Sequence, residues 1–304
     1  MRRWLPFRVG LGALSLLGFL VLSIPARAGD ARDCGNGIRL RLSAPQASQG
    51  SLLLIDVQTI ATTAKLNAEW SNHTLSLWRV SRRDNLQRGL IAIDLEHPAG
   101  KFKLNLSAEL SDGKQVTCAA AVSVLAGHFA IESLHVEARF VQPAPEELER
   151  AKKETARLKE IFARVTAEKL WQGSFRMPIT GTHTARNFGR RRVLNGQAGS
   201  PHTGVDIPAL SGTPVHAPQR GRVVLAEPLF FSGNTVILDH GLGLYTFYGH
   251  LESISVQVGD LVAPGALLGK VGATGRVTGP HLHWGVTLNQ SRVNPLQLLT
   301  LPAD

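Results

Sequence analysis

The run GPHLHWGV, residues 279–286, sets His281 and His283 two positions apart in text that otherwise reads as a strand. Residues two apart on a strand share a face and lie about 6.6 Å apart along it, so both imidazoles can serve one site. The spacing allows both to bind one metal ion, or one to bind while the other faces water on that metal; it equally allows two packed or surface histidines. A second run, PHTGVDIP, places His202 and Asp206 four apart. Pro201, Gly204 and Pro208 argue against a helix there. On a straight strand the two side chains would stand about 13 Å apart, too far for one ion. A turn at Thr203 and Gly204 would bring them together; without it Asp206 is an ordinary turn aspartate.

Two histidines and a carboxylate suit a catalytic zinc ion, with three protein ligands of nitrogen and oxygen type and a fourth position open to water, an arrangement that implies hydrolysis. A closed structural site would need a fourth protein ligand, and the two cysteines, Cys34 and Cys118, both lie far upstream. From Gly173 onward the glutamates are Glu227 and Glu252, and neither sits in an HExxH pattern that would supply a general base. Acid–base work then falls to histidine: His250, in FYGHL at a strand end, and whichever of His281 and His283 is not a ligand.

HTGVD, YGHL and GPHLHWGV, in this order and at these distances, with FGRRR upstream and VQVGDLVAPGALLGKVGATG between, resemble the lysostaphin/LytM-type zinc metallopeptidases of bacterial cell walls. The resemblance covers about residues 173–300. It implies one Zn2+ per chain held by His202, Asp206 and His283. It also implies that His250 and His281 are catalytic histidines, which orient the attacking water, stabilise the oxyanion and carry a proton to the leaving amine. His183, His216 and His240 match no role in the family and are expected to be structural or surface residues. The implied activity is that of a peptidoglycan endopeptidase cutting amide bonds in murein stem peptides or cross-links, with D-Ala to meso-diaminopimelate as the bond. The rival expectations are a zinc D-Ala carboxypeptidase and a catalytically inactive, wall-binding amidase activator. Relatives of the inactive kind lose ligand positions, whereas all three are filled here. Arg190 and Arg191, with Arg186 and Arg192 in the same RNFGRRR run, are candidates to bind carboxylates of an acidic peptide, or else form a solvated basic loop.

The elements that must position these residues follow from the rest of the text, and the expected fold is mainly β. Residues 173–304 read as an all-β metallopeptidase domain with short glycine-punctuated strands and long loops from about 176 to 203. Upstream, residues 29–140 are a series of short alternating runs such as GIRLRLS and FKLNLSAEL, which predict a β-sandwich-like accessory domain. Between them, residues 141–172 form a helical linker: Pro145 suits the first helical position, Glu146 and Glu147 the positive end of the helix dipole. Its apolar Leu148, Ala151, Leu158, Ile161, Phe162 and Val165 recur at helical spacing and predict one buried face, without choosing what covers it.

The start, MRRWLPFRVGLGALSLLGFLVLSIPARAGD, has arginines, an apolar stretch from Val9 to Ile24 and a small-residue site at Ala26-Arg27-Ala28, which predicts an export signal of residues 1–28 cleaved after Ala28. As a helix that stretch reaches only about 24 Å, short of a ~30 Å hydrocarbon core, which argues against an uncleaved anchor. A periplasmic or secreted protein follows, and in an oxidising compartment Cys34 and Cys118 are expected to pair. The 43% hydrophobic content suits a globular protein with a real core. Cleavage would remove four arginines and no acid from a chain of net charge +10, so the exported part stays basic. Such a charge draws a protein to anionic envelope polymers more than to nucleic acid, or serves solubility alone. The expected partner is peptidoglycan, with no stable membrane span after cleavage and no regulatory protein identifiable.

Overall fold

A computed structural model describes residues 31–60, 62–81 and 85–302; the expected export signal, residues 1–28, lies outside the described residues. Among the described residues no helix is long and apolar enough to cross a membrane.

The alternating text of the first half folds as two five-stranded sheets. One has the order Arg32–Gly35, Ile38–Leu42, Leu52–Gln58, Leu86–Ala92, Leu77–Ser81; the other Gln46–Ser48, Gln115–Leu125, Gly100–Leu110, Thr63–Trp70, His73–Thr74. In Ile38–Leu42 the three aliphatic residues are buried and Arg39 and Arg41 are exposed, the alternation of a strand with one wet face. Ile38, Leu40, Ile55, Leu104, Leu106 and Val122 fill the space between the sheets. Cys34 and Cys118 are disulfide-bonded and tie a strand of one sheet to a strand of the other.

The linker forms a helix, Pro145–Ala163, with Pro145 in its first turn and the Ala144 amide donating to Glu147 Oε2 at 3.2 Å. What covers its apolar face is now defined. Ile161 is buried against Leu225, Leu229, Ile237 and Tyr245 of the C-terminal sheet, with Leu158 and Phe162 packed alongside. The Tyr245 hydroxyl donates to the Arg164 carbonyl at 2.7 Å, which ties down the chain as it leaves the helix.

The C-terminal sheet is antiparallel throughout its main path: Gly204–Pro208, His281–Leu288, Leu244–Ile254, Gly233–Gly241, Gly221–Leu229, Leu261–Val262. Trp284, Tyr248, Val205, Ile207 and Leu282 are fully buried beneath it. The same core continues through Trp171, Phe175 and Ile179 to Leu52, Leu90, Ala92 and Leu95 of the sandwich. The expected boundary at residue 173 therefore falls between two buried aromatic residues.

One expectation is corrected. The segment expected to be loop from about 176 to 203 contains the strands Arg191–Leu194 and Gln197–Ala198. Arg191–Leu194 runs parallel to Ile131–Leu134, with Ile131 opposite Arg191 and Leu134 opposite Leu194. Three consecutive arginines hide the strand from any apolar pattern, and its hydrogen-bonding partner comes from far away in the chain.

Candidate active site

Asp206 and His283 face one another across neighbouring strands. In the register of Gly204–Pro208 against His281–Leu288, Asp206 pairs with His283 and Pro208 with His281. Cross-strand partners share a face, so the carboxylate and the imidazole meet. His202, buried to 1% exposure, joins them from just before the strand. Its Nε2 is 3.1 Å from Asp206 Oδ1, His283 Nδ1 is 3.1 Å from the same oxygen, and the two ring nitrogens are 2.9 Å apart. Among the described residues these three form the group whose ligand atoms could hold a metal ion.

The close approach depends on Gly204. A Cβ there would lie 2.4 Å from the Trp284 carbonyl oxygen and 2.8 Å from the His283 ring. The turn expected at Thr203 and Gly204 is not found: Gly204 opens the strand Gly204–Pro208, and the absence of its side chain is what lets the His283 ring and the Trp284 carbonyl come close.

Asn187 organises the trio from outside. Its backbone carbonyl accepts from His202 Nδ1 at 3.0 Å, its side-chain amide donates to Asp206 Oδ2 at 2.9 Å, and its side-chain oxygen accepts from the Asp206 amide at 3.0 Å. Arg192 adds a contact to Oδ2 at 3.3 Å. With Oδ2 engaged, Oδ1 is the oxygen that faces both imidazoles. Sequence reasoning missed Asn187: one asparagine in a basic run carries no spacing signal, and its role exists only once the loop folds over Asp206.

His250 and His281 stand beside the trio. The His250 ring centroid is 4.9 Å from that of His281 and 6.0 Å from that of His283, and His281 Nε2 is 3.6 Å from Asp206 Oδ1. His250 sits in the left-handed region at φ 64°, a conformation histidine enters more readily than most side chains, with its amide donating to the Ser232 carbonyl at 2.7 Å. Each ring is anchored through Nδ1 to a main-chain carbonyl, His250 to Thr274 and His281 to Gly279, both at 2.8 Å. The carbonyl can only accept, so Nδ1 carries the proton of the neutral ring and Nε2 presents its lone pair.

The electrostatics suit cation binding. Burial would raise the Asp206 carboxyl, but hydrogen bonds from His202 and His283 and their charges outweigh it and hold the group far below the usual carboxylate range. Burial pushes His283 down to about 4 against the pull of Asp206, and burial with the neighbouring imidazoles pushes His250 down to about 3. At neutral pH the carboxylate is ionised and these two rings are neutral, the forms in which such groups bind metal.

A cleft of about 660 Å³ opens over the site, with His202, His250 and His283 in its lining. Leu158 and Phe162 of the helix form part of one wall, and Phe231 and Phe247 part of another. Arg192 and Arg276 border it. Arg190 and Arg191 do not: Arg190 is paired with Glu132 at 2.7 Å and Arg191 with Glu96 at 3.4 Å. His183 is exposed. His240 is fully buried, bonded to the Arg220 carbonyl and to Thr246 Oγ1, both at 2.7 Å.

A family model described as peptidase family M23 matches residues 200–295. Over 136 residues the chain is 38% identical to the DD-carboxypeptidase/endopeptidase Mpg of Neisseria meningitidis serogroup B, covering 44% of this chain and 31% of that protein. Over 98 residues it is 40% identical to the peptidoglycan DD-endopeptidase ShyA of Vibrio cholerae, covering 32% of this chain and 23% of that protein. The chain thus spans less than a third of the length of these curated relatives. A crystal structure from Pseudomonas aeruginosa, described as a candidate peptidase M23, is 28% identical with a TM-score of 0.64, covering 83% of this chain and 94% of that one. That likeness extends well beyond residues 200–295.

Proposed function

Residues 200–295 belong to peptidase family M23, and from that premise we propose that this chain is a zinc-dependent peptidoglycan endopeptidase, exported through residues 1–28, that hydrolyses the D-Ala to meso-diaminopimelate amide of murein cross-links. One observation carries the reading: three ligand atoms, from His202, Asp206 and His283, converge within 3.1 Å of one another beside a cleft that His202 and His283 line, with two further imidazoles close by.

The residues fit the metal. Two nitrogens and one oxygen are a zinc donor set, and tetrahedral bonds of about 2.0–2.1 Å put ligand atoms roughly 3.3 Å apart, a few tenths of an ångström wider than the separations here. A zinc ion held there supplies Lewis acidity, which polarises an amide carbonyl and acidifies water by several pKa units. The protein's own groups do the rest. Asn187 and Arg192 fix Asp206 through Oδ2. His250 and His281, with Nε2 unprotonated, accept the proton that water loses, and the imidazolium so formed donates to the departing amine. The apolar walls from Phe162, Phe231 and Phe247 exclude bulk water and strengthen these interactions.

The Cys34–Cys118 disulfide supports an oxidising compartment. The filled ligand set counts against a wall-binding amidase activator. Trimming of terminal D-Ala is the second reading, favoured by the double name of the Neisseria relative. The test is digestion of purified sacculi by the zinc-loaded full chain, with mass spectrometry of the products. Cross-linked dimers should become monomers bearing a new free amine on diaminopimelate; release of D-Ala from intact dimers would favour the second reading, and no new termini at any zinc loading would refute both.

A further inference from the structure

Arg276 is a cation built into the wall of the cleft. Its amide donates to the Phe231 carbonyl at 2.8 Å, and its guanidinium lies over the Phe231 ring, 4.6 Å from the centroid. Phe231 in turn packs on Phe230 at 4.8 Å. Gly275, just before it, has φ 76°, and a Cβ there would lie 2.4 Å from the Gly233 amide nitrogen. The loop is keyed into its neighbour, so the root of the Arg276 side chain is fixed.

The other arginines that line the cleft are paired within the protein: Arg192 with Asp206 and Glu132, Arg292 with Asp94 and Glu96. Among the described residues no carboxylate lies within ion-pair distance of Arg276. Burial and the nearby charge of Arg192 both disfavour its protonated form. A half-buried guanidinium held in this way by the protein is costly until an anion arrives, and its planar fork matches a carboxylate in a bidentate pair.

We propose that Arg276 is the receptor for a substrate carboxylate, the one carried by the residue that supplies the leaving amine. The carboxylate site follows from the geometry; its place in the substrate rests on the endopeptidase reading. Thr274, two residues before Arg276, supplies the carbonyl that anchors His250 through Nδ1, and Arg276 and His250 line the same cleft, so the guanidinium and the ring that serves the departing nitrogen share one binding space. In a D-Ala to diaminopimelate cross-link the carbon bearing that nitrogen also bears a carboxylate. A glycine bridge offers nothing at that place, and an amidated diaminopimelate offers no charge. Arg276 therefore selects free-acid cross-links.

The experiment uses the zinc-loaded full chain carrying His281→Ala, which keeps the ligand intact, and a cross-linked muropeptide dimer as the free acid or as the amide at that carboxylate. Calorimetry should show at least tenfold tighter binding of the acid, with the preference abolished by Arg276→Gln and partly kept by Arg276→Lys. Equal binding of acid and amide by the parent, which needs no arginine variant, would overturn the proposal; so would a preference that survives Arg276→Gln in a variant of unchanged melting temperature. If acid is preferred but the wild-type chain cleaves neither dimer, the endopeptidase reading falls and the carboxylate site stands.

Discussion

Asp206 splits its two oxygens between two tasks, one held by Asn187 and Arg192 and one turned toward His202 and His283. His283 and His281, two residues apart, differ in the same way: the first touches Oδ1 at 3.1 Å and the second stands off at 3.6 Å with its Nδ1 anchored elsewhere. His283→Ala should lose both zinc and activity, whereas His281→Ala should keep zinc and lose about 10²-fold or more in kcat. Atomic absorption alongside turnover separates the two, and a metal-free His281→Ala protein would reverse the assignment. His240 supports a different prediction. Burial, partly offset by the Arg220 carbonyl, lowers it from 6.5 to about 4. The unfolded chain therefore binds a proton that the folded chain refuses between these values. This contribution to stability is complete above about pH 7 and is lost as pH falls from 6.5 toward 4, by about 3 kcal/mol. Urea titrations should show this slope in the wild type and a shallower one in His240→Gln.

At the scale of strands and helices, the site exists because Gly204–Pro208 lies directly against His281–Leu288. Gly204→Ala forces a methyl into the Trp284 carbonyl and the His283 ring. It should cost about 1–3 kcal/mol and weaken zinc binding by tenfold or more, measured by thermal denaturation and metal competition. Much of this was legible in the sequence because the signals are local. Two-residue spacing put His281 and His283 on one face, and Gly204 marked a place of close approach, although it opens a strand rather than making the expected turn. Alternation in GIRLRLS gave the strand Ile38–Leu42, and the helical repeat gave Pro145–Ala163. What was not legible depends on contacts between distant segments. Arg191–Leu194 is a strand because Ile131–Leu134 offers it a parallel edge, and no property of RRVL announces that. The buried stripe of the helix showed that something covers it, but Tyr245 and Leu225 could be named only from the fold. Arg190 and Arg191 looked free to meet substrate because Glu132 and Glu96, their partners, lie in other segments.

Across the whole molecule the N-terminal and C-terminal halves share one core and a charged seam. Arg292, in a strand of the C-terminal sheet, reaches Asp94 through its amide, Nε and guanidinium nitrogen at 2.7, 3.1 and 2.7 Å, and Glu96 at 2.9 Å. Trp78 of the sandwich meets Trp171 edge-on at 5.6 Å. A fragment of residues 173–304 loses Trp171, the helix wall of the cleft and every acid that faces Arg190, Arg191 and Arg292. It should be less stable than the full chain by several kcal/mol and prone to associate through the bared apolar surface, which denaturant titration and light scattering would show. The anchors of His202, His250 and His281 have a consequence for how such a site tolerates change. All three rings are steered by peptide oxygens, those of Asn187, Thr274 and Gly279, and no codon change removes a peptide oxygen. A saturation library should therefore reveal the orientation of these rings as vulnerable mainly where backbone shape itself is altered, at the flanking glycines and prolines, while losses at Asn187 should arise through its side chain, which holds Asp206.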